Sequence, residues 1–315
     1  MRATGIGSMP GEDFRGVVRF VLETLDLPFL PELPARGDGA GMIGRAAGLL
    51  DGLGADLQPA GWRLTDRPGL DQRRARSLLA HDLDVLEEEA DGYEGDLKVQ
   101  VAGPWTLAAT MERPRGDRLL ADHGARRELA QSLASGLAAH VEEVRRRVPA
   151  ASIVVQVDEP GLRSVLDGQV PTASGAGNHR RVHPPEVDAA LREVADAARG
   201  AGARPVVHTC APRVPLSLLA GAGFEAISFD LGLVSGEERD AYASVLESGV
   251  DLWPGVADDD VSAMRRTSDR FFSGLGFGEE ATVPRTVLSP PCGLADASPD
   301  DARRVLRGVA ATTKL

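Results

Sequence analysis

Apolar residues along the chain fall into two alternating kinds of run. Short blocks of four to seven, rich in Val, Ile and Leu, are separated by longer stretches in which apolar positions recur at helical spacing. The short blocks predict strands at about 2–6, 27–31, 97–101, 152–157, 204–208, 225–230, 250–254 and 285–289. The longer ones predict helices near 12–25, 71–91, 119–148, 184–201, 213–221, 236–248, 258–273 and 299–311. Between Arg126 and Arg147 the apolar side of a helix is spelled by Leu129, Leu133, Leu137, His140, Val141 and Val144, and Pro149 stops it. Strand followed by helix, eight times over, predicts an α/β chain folded as one (β/α)8 barrel, a TIM barrel, spanning residues 1–315. The Gly- and Pro-rich stretch 168–185 is too long for a tight barrel turn and reads as a loop or lid near the site.

A barrel gathers its chemistry at the C-terminal ends of its strands. There the chain carries Ile6-Gly7-Ser8, Glu32, Gly103-Pro104-Trp105-Thr106, Asp158-Glu159-Pro160, His208-Thr209-Cys210, Asp230 and Cys292. Side chains two apart on an extended segment face the same way, so His208 and Cys210 form half of a site for a soft metal. Cys292 is the second of only two cysteines, and imidazole with two thiolates is a donor set that suits zinc. Two unrelated buried side chains, or a Cys210–Cys292 disulfide, are the plainer readings of the same residues. Asp158-Glu159-Pro160 taken alone reads as a helix start.

Composition narrows the function classes. A net charge of −12 opposes binding to a phosphate backbone, and 4% aromatic residues leave little for stacking on bases, so no nucleic-acid partner is expected. No apolar run approaches a membrane span, and the first residues lack the apolar core of a secretory signal, so a cytoplasmic location is expected.

Taken together, Ile6-Gly7-Ser8, Gly103-Pro104-x-Thr106, Gln156-Val157-Asp158-Glu159-Pro160, His208-Thr209-Cys210 and Pro291-Cys292-Gly293-Leu294 resemble the C-terminal catalytic barrel of the cobalamin-independent methionine synthase family. The resemblance spans nearly the whole chain. It implies a zinc-dependent methyltransferase that passes a methyl group to the thiol of homocysteine, from 5-methyltetrahydrofolate or a methylated corrinoid, the latter with a corrinoid protein as partner. It implies His208, Cys210, Cys292 and Asp230 as zinc ligands, Asp230 standing where the family has a glutamate. Ile6, Gly7 and Ser8 would hold the amino-acid carboxylate, and Asp158 and Glu32 the ammonium. Two positions depart from the pattern: Asp260 stands where a proton-delivering histidine is usual, and Thr110 replaces a tryptophan for which Trp105 is the substitute. Transfer to a different thiol, or a non-catalytic zinc barrel that binds a thiol amino acid, are the alternatives.

Overall fold

The computed structural model describes residues 1–258 and 260–315; Asp259, in the expected turn after the seventh strand, lies outside the described residues. Its centre is a five-stranded, wholly parallel sheet. The strands are β4 (Asp96–Ala102), β5 (Ser152–Asp158), β6 (Arg204–Thr209), β7 (Ala226–Asp230) and β8 (Asp251–Gly255), side by side in chain order. Each is nearly all buried, as a parallel sheet covered by helices demands. The chain is thus an α/β protein with the strand–helix alternation expected of it.

The remaining expected strands are present only as fragments, for a covalent reason. β1 (Arg2–Ala3) pairs in parallel with β9 (Val287–Leu288), each two residues long. Pro290 and Pro291 follow β9 and have no N–H to continue its ladder. Segment 27–31, expected as a strand, contains Pro28 and Pro31 and makes single bridges instead of a ladder. Those bridges still place it: Leu27 N–H donates to Ala3 O at 3.0 Å, and Leu30 N–H to Lys98 O at 2.9 Å. At the other edge, Val256 N–H donates to Ser289 O at 2.8 Å. Some elements were not expected, among them the helices Met42–Leu49 and Pro104–Thr110 and a hairpin. An antiparallel hairpin, β2 (Gly54–Gln58) and β3 (Gly61–Thr65), turns at Pro59-Ala60.

The helices follow their expected patterns within a few residues. His123–Arg147 buries Leu129, Leu133, Leu137, His140, Val141 and Val144, and the Asp122 carboxylate accepts from the Ala125 N–H at its start. Pro184–Gly200 begins with two prolines at positions where the missing N–H costs nothing. No helix among the described residues is long and apolar enough to cross a membrane.

Inside the sheet the side chains change character with height. Leu27, Val154, Val206, Ala226, Trp253 and Val287, one from each of six strands or strand-like segments, make a separate apolar layer. Two residues further along β5 and β6 come Gln156 and His208, and Asp158 lies two beyond Gln156; β4 contributes Lys98 and Gln100. All five are buried. Period-two alternation therefore stacks polar groups over an apolar floor, toward the C-terminal ends of the strands.

Candidate metal centre and adjoining cavity

β6 carries His208 at its inner face and releases Cys210 just past its end, while Cys292 arrives after the two prolines that close β9. The ligand atoms of these three residues all lie within 4.8 Å of one another, and among the described residues they are the group of His, Cys, Asp and Glu so placed. The Cys292 and Cys210 sulfurs are 3.4 Å apart and both thiols are free. His208 Nδ1 lies 2.9 Å from the hydroxyl of Ser228, its register partner on β7, and Nε2 is buried with no hydrogen-bond partner. With Nδ1–H donated to Ser228, the Nε2 lone pair is the free end of the ring, the arrangement usual for a metal-binding imidazole. An orphaned buried nitrogen beside two converging sulfurs fits a soft divalent metal such as zinc.

Electrostatics in the cluster favour that donor chemistry. The hydrogen bond between the two thiols lowers the Cys292 pKa, and His208 adds to the effect. The same hydrogen bond, with burial, raises Cys210. Burial lowers the pKa of His208 and keeps the ring neutral, with Asp230 acting on it only through its charge.

A cavity of about 260 Å³ opens beside the cluster. It is lined by Ile6, Gly7, Ser8, Glu32, Asp158, His208, Cys210 and Cys292, the expected residues, together with Pro34, Met42, Pro160, Gly293, Ala295 and Asp296. Ser8 O accepts from Leu294 N–H at 2.9 Å, tying the start of the chain to the Cys292 turn. A side chain at Gly293 would displace the Ser8 hydroxyl, because a Cβ would sit 2.0 Å from Ser8 Oγ. Burial raises the pKa of both Glu32 and Asp158; for Asp158 the charge of Glu32 adds, and Lys98 opposes. Glu32 Oε1 is buried with no partner, an acceptor left open. Pro34 and Met42 also wall a second cavity of about 540 Å³, which extends to Trp62 of the hairpin, Thr110 and Arg118.

Three expected residues lie elsewhere. Asp230 accepts from Gly232 N–H at 2.8 Å, turning its carboxylate to its own backbone and outside the three-residue cluster. Asp260 is an exposed cap at the helix Val261–Gly274, accepting from Ser262 N–H at 2.9 Å. Trp105 is buried with its indole N–H on Val187 O at 3.2 Å and is not among the residues lining either cavity beside the cluster.

The Asp158-Glu159 pair also works differently from a helix start. Successive residues point oppositely, so Asp158 enters the cavity and Glu159 turns away from it. Glu159 accepts from Trp105 N–H at 2.9 Å and from Thr106 N–H and Oγ1–H, both at 2.8 Å, satisfying the free donors at the head of helix Pro104–Thr110. Gly103 is required by this, since a Cβ would fall 2.3 Å from Glu159 Oε1. The loop expected as a lid, 168–185, is pinned to Asp117 by Ala173 N–H at 2.8 Å and His179 Nε2 at 3.1 Å, and none of its residues lines the cavity.

The residues missed in the sequence lie behind the lining: Lys98, Gln100 and Ser228, beside Gln156, which was noted only as part of a motif and given no role. Their signal was present as polar side chains at alternate positions of otherwise apolar strands, Leu97-Lys98-Val99-Gln100-Val101 above all.

No protein-family model matches the chain, and no curated protein does so either. Among solved structures, a B12-independent methionine synthase from Shewanella sp. W3-18-1, in complex with selenomethionine, superposes with a TM-score of 0.63. The two are 13% identical over 99% of this chain and 96% of that one, a likeness of fold. A GH5_18 protein from Streptomyces cattleya in complex with GlcNAc superposes at 0.44, with 15% identity over 99% of this chain and 79% of that one; nothing is drawn from it.

Proposed function

We propose that the chain is a zinc-dependent methyltransferase that methylates the thiol of homocysteine to give methionine. The observation that carries this reading is the single cavity shared by a His-Cys-Cys cluster and by groups suited to the two ends of an amino acid. The solved methionine synthase with a similar fold, described with selenomethionine bound, supports the same ligand class. In this reading residues 1–315 form one (β/α)8 barrel, with segment 27–31 and β9 as its two proline-broken strands.

His208, Cys210 and Cys292 would hold the metal. Zinc bound there supplies a positive charge that lowers the pKa of an incoming thiol, so that its sulfur is nucleophilic near neutral pH. The chain's own residues do the rest. Glu32 and Asp158 receive the ammonium, and the backbone and hydroxyl of Ile6, Gly7 and Ser8 receive the carboxylate. Two buried carboxylates facing the cavity favour an amino-acid thiol over one bearing a sulfonate. The methyl donor, 5-methyltetrahydrofolate or a methylated corrinoid on a partner protein, occupies the adjoining larger cavity across Pro34 and Met42. Asp230, Asp260 and Trp105 are left without a role because of where their side chains lie. A cytoplasmic setting keeps both thiols reduced.

X-ray absorption at the zinc edge tests the reading. One zinc per chain, gaining a sulfur neighbour when homocysteine is added, is the expected result. A reduced protein that takes up no zinc, or zinc whose neighbours ignore homocysteine, overturns it.

A further inference from the structure

Beneath the cavity lies a lysine that the reaction has not used. Lys98 is wholly buried. Its Nζ donates to Ile6 O and to Gln156 Oε1, each at 2.7 Å, with the Phe29 ring centroid 5.3 Å away. Burying an ammonium is costly, and its persistence calls for something it must hold.

What it holds is the orientation of both ends of the pocket. By occupying Gln156 Oε1, Lys98 forces the amide of Gln156 to present its NH2 on the other side, because a flipped amide would set donor against donor. That NH2 donates to Asp158 Oδ1 at 2.7 Å and to Ile6 O at 2.8 Å. The Ile6 carbonyl is therefore gripped twice. Gly7 O is taken by Glu32 N–H at 3.0 Å and Ser8 O by Leu294 N–H. With all three carbonyls engaged by the protein, the N–H groups of Ile6, Gly7 and Ser8 meet no acceptor among the described residues. A run of free N–H groups with its carbonyls turned away is a cradle for a carboxylate.

We propose that Lys98 is the positioning residue of the amino-acid pocket: through the Ile6 carbonyl and the Gln156 amide it sets the spacing between the carboxylate cradle and the ammonium-binding Asp158. The proposal rests on the amino-acid-thiol reading above. Lys98 touches no substrate. Its charge also faces Asp158 and Glu32, which oppose the loss of its proton that burial favours.

Calorimetry on zinc-loaded protein, with L-homocysteine and with 1-propanethiol, separates the pocket from the metal. L-Methionine on the reduced, metal-free chain reads the pocket alone. Lys98→Met is expected to weaken both amino acids about 30-fold, the loss of one charge-assisted hydrogen bond system, and to leave 1-propanethiol within about twofold. Gln156→Met, which cuts the relay but leaves the lysine, is expected to weaken the amino acids similarly and keeps the test open if Lys98→Met does not fold. Folded variants that bind homocysteine as the parent protein does remove Lys98 from this role. A parent protein that binds homocysteine no more tightly than 1-propanethiol removes the amino-acid pocket itself, and the role of Lys98 with it.

Discussion

Replacing Cys292 by serine tests the metal centre with little disturbance to the fold. Cys292 is exposed, so its sulfur contributes little to packing. Structural zinc sites hold their ion with about 10–16 kcal/mol over four ligands, or about 3 kcal/mol for each, which corresponds to about a hundredfold in affinity. Cys292→Ser is therefore expected to weaken zinc binding about a hundredfold, with unchanged circular dichroism. Ser228→Ala supplies the graded companion. It removes the 2.9 Å hydrogen bond to His208 while sparing His208, Cys210 and Cys292 themselves, and outer partners of this kind contribute about 10- to 100-fold. Asp230→Asn is the control, expected to stay within about threefold because its carboxylate faces Gly232 N–H. Competition against a chromophoric chelator, under reducing conditions, gives all three constants. Parent-like affinity in Cys292→Ser would place the metal elsewhere, and a large loss in Asp230→Asn would return that residue to the ligand set.

Two further outcomes follow from groups around the cavity. Burial raises the Glu159 carboxyl from 4.5 to about 7 against the pull of the Trp105 and Thr106 donors. A folded-state value above the unfolded one means that the associated stability is full below pH 4.5 and is lost as pH rises through 7. The loss is about 3 kcal/mol, and urea unfolding between pH 5 and 8 should show the parent protein's decline flattened in Glu159→Gln; parallel curves for the two would refute the assignment. Gly293→Ala puts a Cβ 2.0 Å from Ser8 Oγ and should weaken homocysteine binding at least about tenfold while zinc stays bound. Calorimetry and metal analysis on the same sample check both halves.

Hydrophobic spacing made the five central strands and their helices readable, because buried parallel strands and one-sided helices each impose a single period on the residues. His208, Cys210 and Cys292 were readable for a different reason, since soft donors are rare in this chain and stood at strand ends. Segment 27–31 was apolar enough to resemble a strand, but Pro28 and Pro31 denied it the ladder. The hairpin at 54–65 was missed because Pro59-Ala60 is not one of the Gly-containing pairs that announce a two-residue turn. Trp105 and Asp260 were placed by analogy of position, and position in a chain does not fix where a side chain points. Lys98 escaped notice, and Gln156 was given no role, because a buried polar side chain reads as an interruption until its partners, Ile6 O and Asp158, are seen beside it.

The hydrogen bond from Leu294 to Ser8 bears on the order of events during folding. Closing the cavity requires residues from near the two ends of the sequence to meet, and the cysteine pair alone spans 82 positions. Contacts so distant along the chain form late, after nearer pairings have paid most of the entropy of closure. A chain still emerging from the ribosome displays His208 and Cys210 well before Cys292 exists to join them. If the chain is the zinc-dependent enzyme proposed above, zinc captured with full affinity would then report that the last strand has docked, and metal content would gauge completed folding as much as chemistry.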